Sequence, residues 1–390
     1  LKLRASYGFT GNTEIGVYES LATLGTSNWI LGNQLVSGFF PNKIPNPDLK
    51  WERTGQFDIG LDLGLLNNRL RITTDYYKKK TTDLLYSVAV PATSGYQTML
   101  KNIGSIENQG YELSIESDNL TGAFSWTTAF NIAFNRNKVL ELGGEEYKEM
   151  AEGDGHLKTG SVRRLIVGEP IGVFYGYRFD GIFQNEEECK QQTSSASPIG
   201  VGLRRYKDLN GDGKVDAAND REILGDANPK FFGGLTNTFA YKGFELNVFL
   251  QYSYGNKILN YNAMELENPT GGQNAYADMV NRWTPENPSN IYPKATTNRA
   301  LLVSDRFIED GSYLKLKTLS LSYSFPKINL KHIQGLRLYV TGQNLLTWTK
   351  YRGYDPEVSY RGASTLEAGE DFGGYPQSRT FMFGIKLDIK

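Results

Sequence analysis

Residues 231–254 read FFGGLTNTFAYKGFELNVFLQYSY, and this stretch decides the fold. Two alternating runs flank the short turn Tyr241-Lys242-Gly243. Side chains alternate across a strand, so the pattern predicts a β-hairpin with one apolar and one polar face. Each run is about eleven residues long, and this is the length that a tilted strand needs to cross a bilayer. Strands in soluble sandwiches are usually about five or six residues long. Phe249 is the single exception in the second run, whose apolar positions are Phe244, Leu246, Val248, Leu250, Tyr252 and Tyr254.

The same alternation recurs along the chain. It is clear at 57–65, 70–76, 111–115, 126–134, 171–179, 336–340 and 381–389. Residues 312–325 change phase between Leu316 and Leu319, which predicts a β-bulge or a strand that projects beyond the membrane. Residues 159–167 barely alternate, and we assign a strand there from the connections alone.

Composition narrows the class of protein. A net charge of -1 gives no reason to expect nucleic acid. Mean hydropathy is -0.44, and no apolar run reaches the roughly 18 residues of a membrane helix. Aromatic residues make up 13% of the chain, which suits a β-barrel, although a soluble sugar-binding β-protein would share this composition. The lone Cys189 says little about compartment.

The connections between strands provide a test. Counting 159–167 gives about twelve strands, and short links then alternate with long ones, as in barrels with short periplasmic turns and long outer loops. We therefore predict an all-β, transmembrane antiparallel β-barrel rather than a soluble sandwich. The chain begins inside a strand without an initiator Met, so we expect further strands before it. Residues 184–228 are predicted to form one of the long outer loops.

That loop contains the strongest local motif, Asp208-Leu209-Asn210-Gly211-Asp212-Gly213-Lys214-Val215-Asp216. Oxygen ligands at alternate positions with Gly at the sixth are typical of an EF-hand calcium loop. Asn219 occupies the twelfth position, and Asp220 follows it. The motif predicts a structural Ca²⁺ site, and the alternative is a turn whose carboxylates cap backbone N–H groups. The predicted ligands are Asp208, Asn210, Asp212, the Lys214 carbonyl, Asp216 and Asp220.

Catalysis has little support. His156 and His332 both fall in connections, and neither has a Ser or carboxylate at an informative spacing. The predicted loops are rich in aromatic residues, which stack on sugars and pack on peptides. Candidate substrate contacts are Trp29, Trp348, Tyr351 and Tyr354, and Trp348 is equally well placed for an aromatic girdle at the membrane interface.

Several short motifs, in order, resemble the SusC/RagA family of TonB-dependent outer-membrane transporters. They are Ser6-Tyr7-Gly8, Thr10-Gly11-Asn12, Val173-Phe174-Tyr175-Gly176-Tyr177, Asp180-Gly181-Ile182, the acidic loop 208–220, Arg221, Leu224-Gly225, Asn228-Pro229, Tyr241-Lys242-Gly243-Phe244, Gly342-Gln343-Asn344-Leu345, Tyr375-Pro376 and Arg379-Thr380-Phe381. The chain departs from the common barrel pattern by ending in Leu387-Asp388-Ile389-Lys390, without a terminal aromatic residue.

The resemblance implies that residues 1–390 form the C-terminal part of a 22-stranded barrel around a plug that lies outside this sequence. It implies import of oligosaccharides or oligopeptides across the bacterial outer membrane, driven by TonB, with a SusD-like lipoprotein lid. Two other functions remain open from the residues. One is a secreted, soluble glycan-binding module, and the other is an outer-membrane barrel enzyme of lipase type.

Overall fold

The computed structural model describes residues 1–12, 16, 18–96, 98–150, 157, 159–268, 274–297, 301–325, 333–362, 364 and 366–389. His156, His332 and most of the predicted link 326–335 lie outside these residues. Among the described residues, no helix has both the length and the apolar character to span a membrane.

Ten strands form one antiparallel sheet in which each strand pairs with the next along the chain. We call this sheet the wall. Its strands are β1 (Lys2–Asn12), β2 (Glu52–Leu65), β3 (Leu70–Thr82), β4 (Ser105–Thr121), β5 (Phe124–Glu141), β6 (Phe231–Tyr241), β7 (Phe244–Tyr254), β8 (Tyr313–Ser324), β9 (Ile333–Thr349) and β10 (Thr380–Ile389).

The hairpin of β6 and β7 forms as the sequence predicts. Leu235 pairs with Leu250 and Phe239 with Leu246, so the apolar side chains of both strands share one face. The turn residues Lys242 and Gly243 have φ of 47° and 89°, the conformation that twists two strands into a tight hairpin. A Cβ at Gly243 would approach the Ser324 carbonyl oxygen to 2.6 Å, so glycine is needed there.

The apolar face of the wall is open. Phe244 and Tyr254 at the two ends of β7 are about half exposed, and Leu321 of β8 is 44% exposed. The edge strand β10 exposes Phe383 by 82% and Ile385 by 67%. Among the described residues, no second layer covers these side chains. A continuous exposed apolar face of this size requires an apolar environment, and a lipid bilayer supplies one.

The phase change in β8 is a β-bulge, which is one of the two explanations that the sequence pattern offered for it. Leu250 faces Leu316 and Phe249 faces Thr318, so Lys317 is the extra residue against β7. On the other side, two residues of β9 occupy the matching gap, and one of them is Asn344 with φ of 52°. The bulge keeps the apolar residues on one face on both sides of it.

The count of twelve wall strands is wrong, because the predicted strands at 159–167 and 171–179 lie outside the wall. Arg163–Ile166 and Val173–Tyr177 belong to a separate four-stranded sheet with Tyr147–Glu149 and Arg221–Gly225. Phe174 and Val173 are adjacent in sequence and are both buried. A strand buried on both faces cannot present one face to lipid, so these residues are covered by protein instead.

With ten strands, the links still alternate in length. Short turns join β2 to β3, β4 to β5 and β6 to β7, and long connections join β1 to β2, β3 to β4, β5 to β6, β7 to β8 and β9 to β10. The predicted strands 159–167 and 171–179 are neighbours along the chain, so leaving out both of them still gives alternating short and long links. The alternation of link lengths therefore did not reveal that these two strands lie outside the wall.

The long connections carry structure of their own. The connections β5–β6, β7–β8 and β9–β10 build a shared core, and we call these three connections together the loop unit. The core includes Phe174, Leu259, Tyr261, Met264 and Phe307. The remaining paired strands are Leu24–Leu31 with Gln34–Pro41, Leu85–Ala89 with Thr98–Asn102, Phe179–Ile182 with Arg204–Tyr206, Thr193–Ser194 with Lys214–Val215, and Lys257–Asn260 with both Ile308–Asp310 and Glu370–Asp371. The helices are α1 (Glu186–Gln191) and α2 (Tyr261–Leu266), with 3₁₀ turns at Ala92–Ser94, Ala277–Asn281 and Asp305–Phe307.

Candidate functional site on the polar face and in the loops

The polar face of the wall carries paired charges. Arg4 of β1 lies 3.0 Å from Asp62 of β2 and 2.8 Å from Asp75 of β3, so one guanidinium joins three strands. Arg337 of β9 reaches across β8 to Glu245 of β7 at 2.5 Å. Such pairs keep the face polar and hold neighbouring strands in register.

A cavity of about 720 Å³ lies against the polar face of β3 to β7. Its lining combines acidic and amide groups with two phenyl rings. Phe249, the exception in the alternation of β7, faces this cavity, and Gly234 makes room for it because a Cβ there would meet the ring at 2.8 Å. The side chains of the polar face that line it are Thr73, Asp75, Glu112, Ser114, Asn131, Ala133, Phe232, Phe249 and Gln251. The mixture suits an amphipathic surface such as a sugar ring or a peptide.

A buried lysine fastens the last long connection to the polar face. The Lys315 side chain is 1% exposed, and its ammonium donates to Asp355 and to Glu357, each at 2.6 Å. Lys317 adds a bond to Glu357 at 2.9 Å, and Gln251 of β7 donates to the same carboxylate at 3.1 Å. Burial alone would raise the pKa of Glu357, but hydrogen bonds from the two lysines lower it to about 2. We call this cluster the lysine clamp.

Buried ion pairs hold the loop unit together. The Arg163 and Glu370 side chains are both 2% exposed and bond at 2.8 Å, although they are 207 residues apart in sequence. The Arg163 guanidinium also donates to backbone carbonyls of Gly172 and Ala368 and stacks on Phe174. Breaking such a pair would leave a buried charge without a partner, at a cost of about 3–5 kcal/mol, so the pair holds the two connections together.

The acidic loop 208–220 is closed by its own carboxylates. Asp208 accepts from the N–H groups of Gly211 and Gly213, each at 2.7 Å. Asp220 is fully buried and accepts from Leu209 at 2.8 Å and from Asp216 at 2.7 Å.

Three further predicted ligands, Asn210, Asp212 and Asp216, also have hydrogen-bond partners within this loop. N–H groups of Asn219 and Ala218 and the ammonium of Lys214 lower the pKa of Asp216. Asp212 accepts from the backbone N–H of Lys214, and Asn210 accepts from that of Asp212. Among the described residues, no group of three or more His, Cys, Asp or Glu side chains converges as a metal site. The calcium site stays a prediction.

The structure separates the four predicted aromatic contacts. Trp29 lies on the hairpin of Leu24–Leu31 and Gln34–Pro41 in the first long connection and is 57% exposed. Trp348 faces Leu314, which in turn faces Tyr252, so it continues the apolar face near the loop end. This placement favours the girdle interpretation for Trp348.

The two tyrosines differ in exposure. Tyr351 is buried, and its hydroxyl donates to Asp371; burial and this bond raise its pKa. Tyr354 is 79% exposed. Trp29 and Tyr354 are therefore the predicted contacts that remain accessible away from the apolar face of the wall.

The lysine clamp and the ion pairs of the loop unit were not expected from the sequence. Lys315 and Lys317 at alternate positions of an apolar strand were a signal for the clamp, and the unexplained Phe249 was a signal for the cavity. Arg163 and Glu370 gave no signal, because a pair so far apart in sequence has no local pattern.

A family model described as TonB dependent receptor-like, beta-barrel, matches residues 1–345. The chain belongs to this family. The TonB-dependent receptor β-barrels are outer-membrane proteins, which assigns the apolar face of the wall to lipid and the polar face to the barrel interior. The predicted fold class, the SusC/RagA resemblance and the outer-membrane location are confirmed.

Among its relatives, the chain is similar to TonB-dependent receptor P3 of Formosa agariphila, with 41% identity over 99% of this chain and 39% of that protein. It is 30% identical to TonB-dependent receptor SusC of Bacteroides thetaiotaomicron, over 100% of this chain and 37% of the relative. A solved structure of the RagAB peptide transporter aligns with a TM-score of 0.79 and 28% identity, over 99% of this chain and 40% of that one. The chain thus spans 37–40% of the length of these relatives.

Proposed function

We propose that this chain forms the C-terminal part of the barrel in an importer that takes up oligosaccharides or oligopeptides and is driven by TonB. The observation that carries the proposal is the match to the RagAB transporter over 99% of this chain. The polar interior, with its amphipathic cavity, and the structured loop unit are consistent with the passage of a large polar solute.

The proposal includes a SusD-like lipoprotein as partner at the outer mouth, TonB as the source of energy through a part of the protein outside this sequence, and a transport rather than a catalytic role. The relatives are named as receptors and transporters, not as enzymes. Of the two rival functions, a soluble glycan-binding module conflicts with the exposed apolar face of the wall, since that face requires lipid.

Growth of the source organism tests the proposed transport. Deleting the gene is expected to abolish growth on one class of solute, either a defined oligosaccharide or a peptide mixture, and the intact gene is expected to restore it. Deleting tonB is expected to have the same effect, and purification of the tagged protein in mild detergent is expected to recover a surface lipoprotein. Unchanged uptake of both classes in the deletion strain would contradict import.

Within this proposal, Trp29 and Tyr354 contact the solute. Removing a stacking ring costs about 1 kcal/mol, or roughly fivefold in affinity. We expect Trp29→Ala and Tyr354→Ala each to weaken solute binding to the intact protein by about this factor, whereas Trp348→Phe on the lipid face leaves affinity unchanged. Equal affinities for all three variants would remove Trp29 and Tyr354 from the binding surface.

A further inference from the structure

A small cavity in the loop unit has two buried donors without acceptors. Arg204 and Asn268 line a space of about 30 Å³ and are 8% and 6% exposed. The Nε–H of Arg204 and the Nδ2–H groups of Asn268 have no hydrogen-bond partner. Buried donors are almost always satisfied in folded proteins, so two of them at one cavity indicate a ligand between them.

The surrounding charges favour a negative ligand. Arg204 donates from Nη2 to the backbone carbonyl of Glu267 at 3.0 Å and reaches no carboxylate. Both carboxylate oxygens of Glu267 are used by other cations, Arg306 at 2.6 Å and Arg352 at 2.8 Å. Arg352 also pairs with Glu309 at 2.8 Å.

The cluster therefore contains three guanidinium groups, those of Arg204, Arg306 and Arg352, and two carboxylates, those of Glu267 and Glu309. Three positive charges and two negative ones leave one positive charge over. Arg204 carries it in a buried position, where a charge without a counterion is strongly unfavourable.

We propose that the cavity binds a monatomic anion of the size of chloride. A volume of about 30 Å³ holds one or two water-sized atoms, which excludes sulfate and phosphate. The remaining walls are Pro198, Leu203 and Pro293 together with the hydroxyl-bearing residues Ser197, Tyr206 and Thr296, and they include no carboxylate. A water molecule could accept both hydrogen bonds, but it would leave the charge of Arg204 uncompensated. The anion bridges the strand Arg204–Tyr206 and the segment that follows α2, which belong to two different connections of the loop unit.

Thermal unfolding of the intact protein in detergent tests the site. At constant ionic strength, replacing gluconate by chloride is expected to raise the unfolding temperature continuously with chloride concentration, because a ligand that binds only the folded state stabilises it by RT ln(1 + [L]/Kd). Asn268→Asp places a carboxylate beside Arg204 and should abolish this response while the protein remains folded in gluconate. Asn268→Leu, which removes a donor and fills the cavity, should abolish it as well.

Asn287→Asp makes the same change at an exposed position and is expected to keep the chloride response. A response that is absent from the unaltered protein, or that persists in both Asn268 variants, would overturn the proposal. Crystals soaked in bromide give a second readout. An anomalous peak between Arg204 Nε and Asn268 Nδ2 is expected, and an ordered water only, without anomalous signal, would also overturn it.

Discussion

The carboxylate of Asp220 joins the two ends of the acidic loop through the backbone N–H groups of Leu209 and Asp216. Asp220→Asn would turn one of these acceptors into a donor and leave a buried N–H unsatisfied, at a cost of about 1–3 kcal/mol. We expect faster cleavage of residues 208–220 by protease in the intact protein. Asp212→Asn changes an exposed carboxylate in the same loop and serves as the control; equal cleavage of both variants would contradict the role of Asp220.

The calcium prediction concerns the same loop. Asp208 uses one lone pair of each oxygen for backbone N–H groups, and a carboxylate has about four acceptor sites, so its oxygens can still accept a cation. If the loop holds Ca²⁺, chelation of the purified protein is expected to release metal and to accelerate cleavage at 208–220. A chelator that changes neither quantity would leave the loop as a set of N–H caps alone.

The lysine clamp predicts a dependence of stability on acid pH. The pKa of Glu357 is lowered from 4.5 to about 2 in the folded protein. A lowered pKa means that the stabilisation is complete above about pH 4.5 and is lost as the pH falls towards about 2. We expect the connection 350–379 to become sensitive to protease over this range. Glu357→Gln removes the charge and should flatten the profile, whereas an unchanged profile would show that other groups hold the connection.

At the scale of single elements, the bulge between β8 and β9 depends on a left-handed residue. Asn344 has φ of 52°, and its amide donates to the Ser378 carbonyl at 3.0 Å. A β-branched residue in this conformation costs about 1–2 kcal/mol, so Asn344→Val is expected to lower the free energy of unfolding in urea by at least this amount. Asn344→Gly keeps the conformation and should lose only the hydrogen bond. Equal stabilities of the two variants would contradict this account of the bulge.

The wall elements were predictable because lipid on one side and a polar interior on the other impose a strict alternation. The β6–β7 hairpin and the phase change in β8 were both found in this way. The strands Arg163–Ile166 and Val173–Tyr177 were assigned to the wall wrongly. Positions 173, 175 and 177 are apolar and alternate, but Phe174 between them is buried too. The burial on both faces comes from contacts with segments that are distant in sequence, such as the pairing of Arg163 with Glu370, and a local pattern does not show such contacts.

The candidate sites also divide into features that depend on a local sequence pattern and features that depend on contacts between distant segments. Residues whose surroundings are local, such as the carboxylates of 208–220, lie in one loop and bond to its own backbone N–H groups, and their role as calcium ligands stays a prediction. The exposure of individual loop residues was not predictable. Tyr351 is buried against Asp371, whereas Tyr354, only three positions further on, is exposed and free to contact solute. The lysine clamp depends on a connection folding back onto the wall, which no local pattern encodes.

At the scale of the whole molecule, the wall separates two environments, and the long connections gather at one end of it. Three of these connections share one core, and the lysine clamp attaches the last one to the barrel interior. The short turns lie at the opposite end of the strands. This polarity is that of a barrel with its elaborate loops outside the cell and its plain turns in the periplasm.

Lipid contact along β7 tests the central claim most directly. Spin labels are placed singly at Val248 and Asn247, adjacent positions on opposite faces, after Cys189→Ser removes the thiol of residues 1–390. In native membranes, collisions with oxygen should dominate for the label at 248 and collisions with a water-soluble nickel complex for the label at 247, because only the former faces hydrocarbon. The same accessibility at both positions, or the reverse order, would contradict a wall that faces lipid with its apolar side.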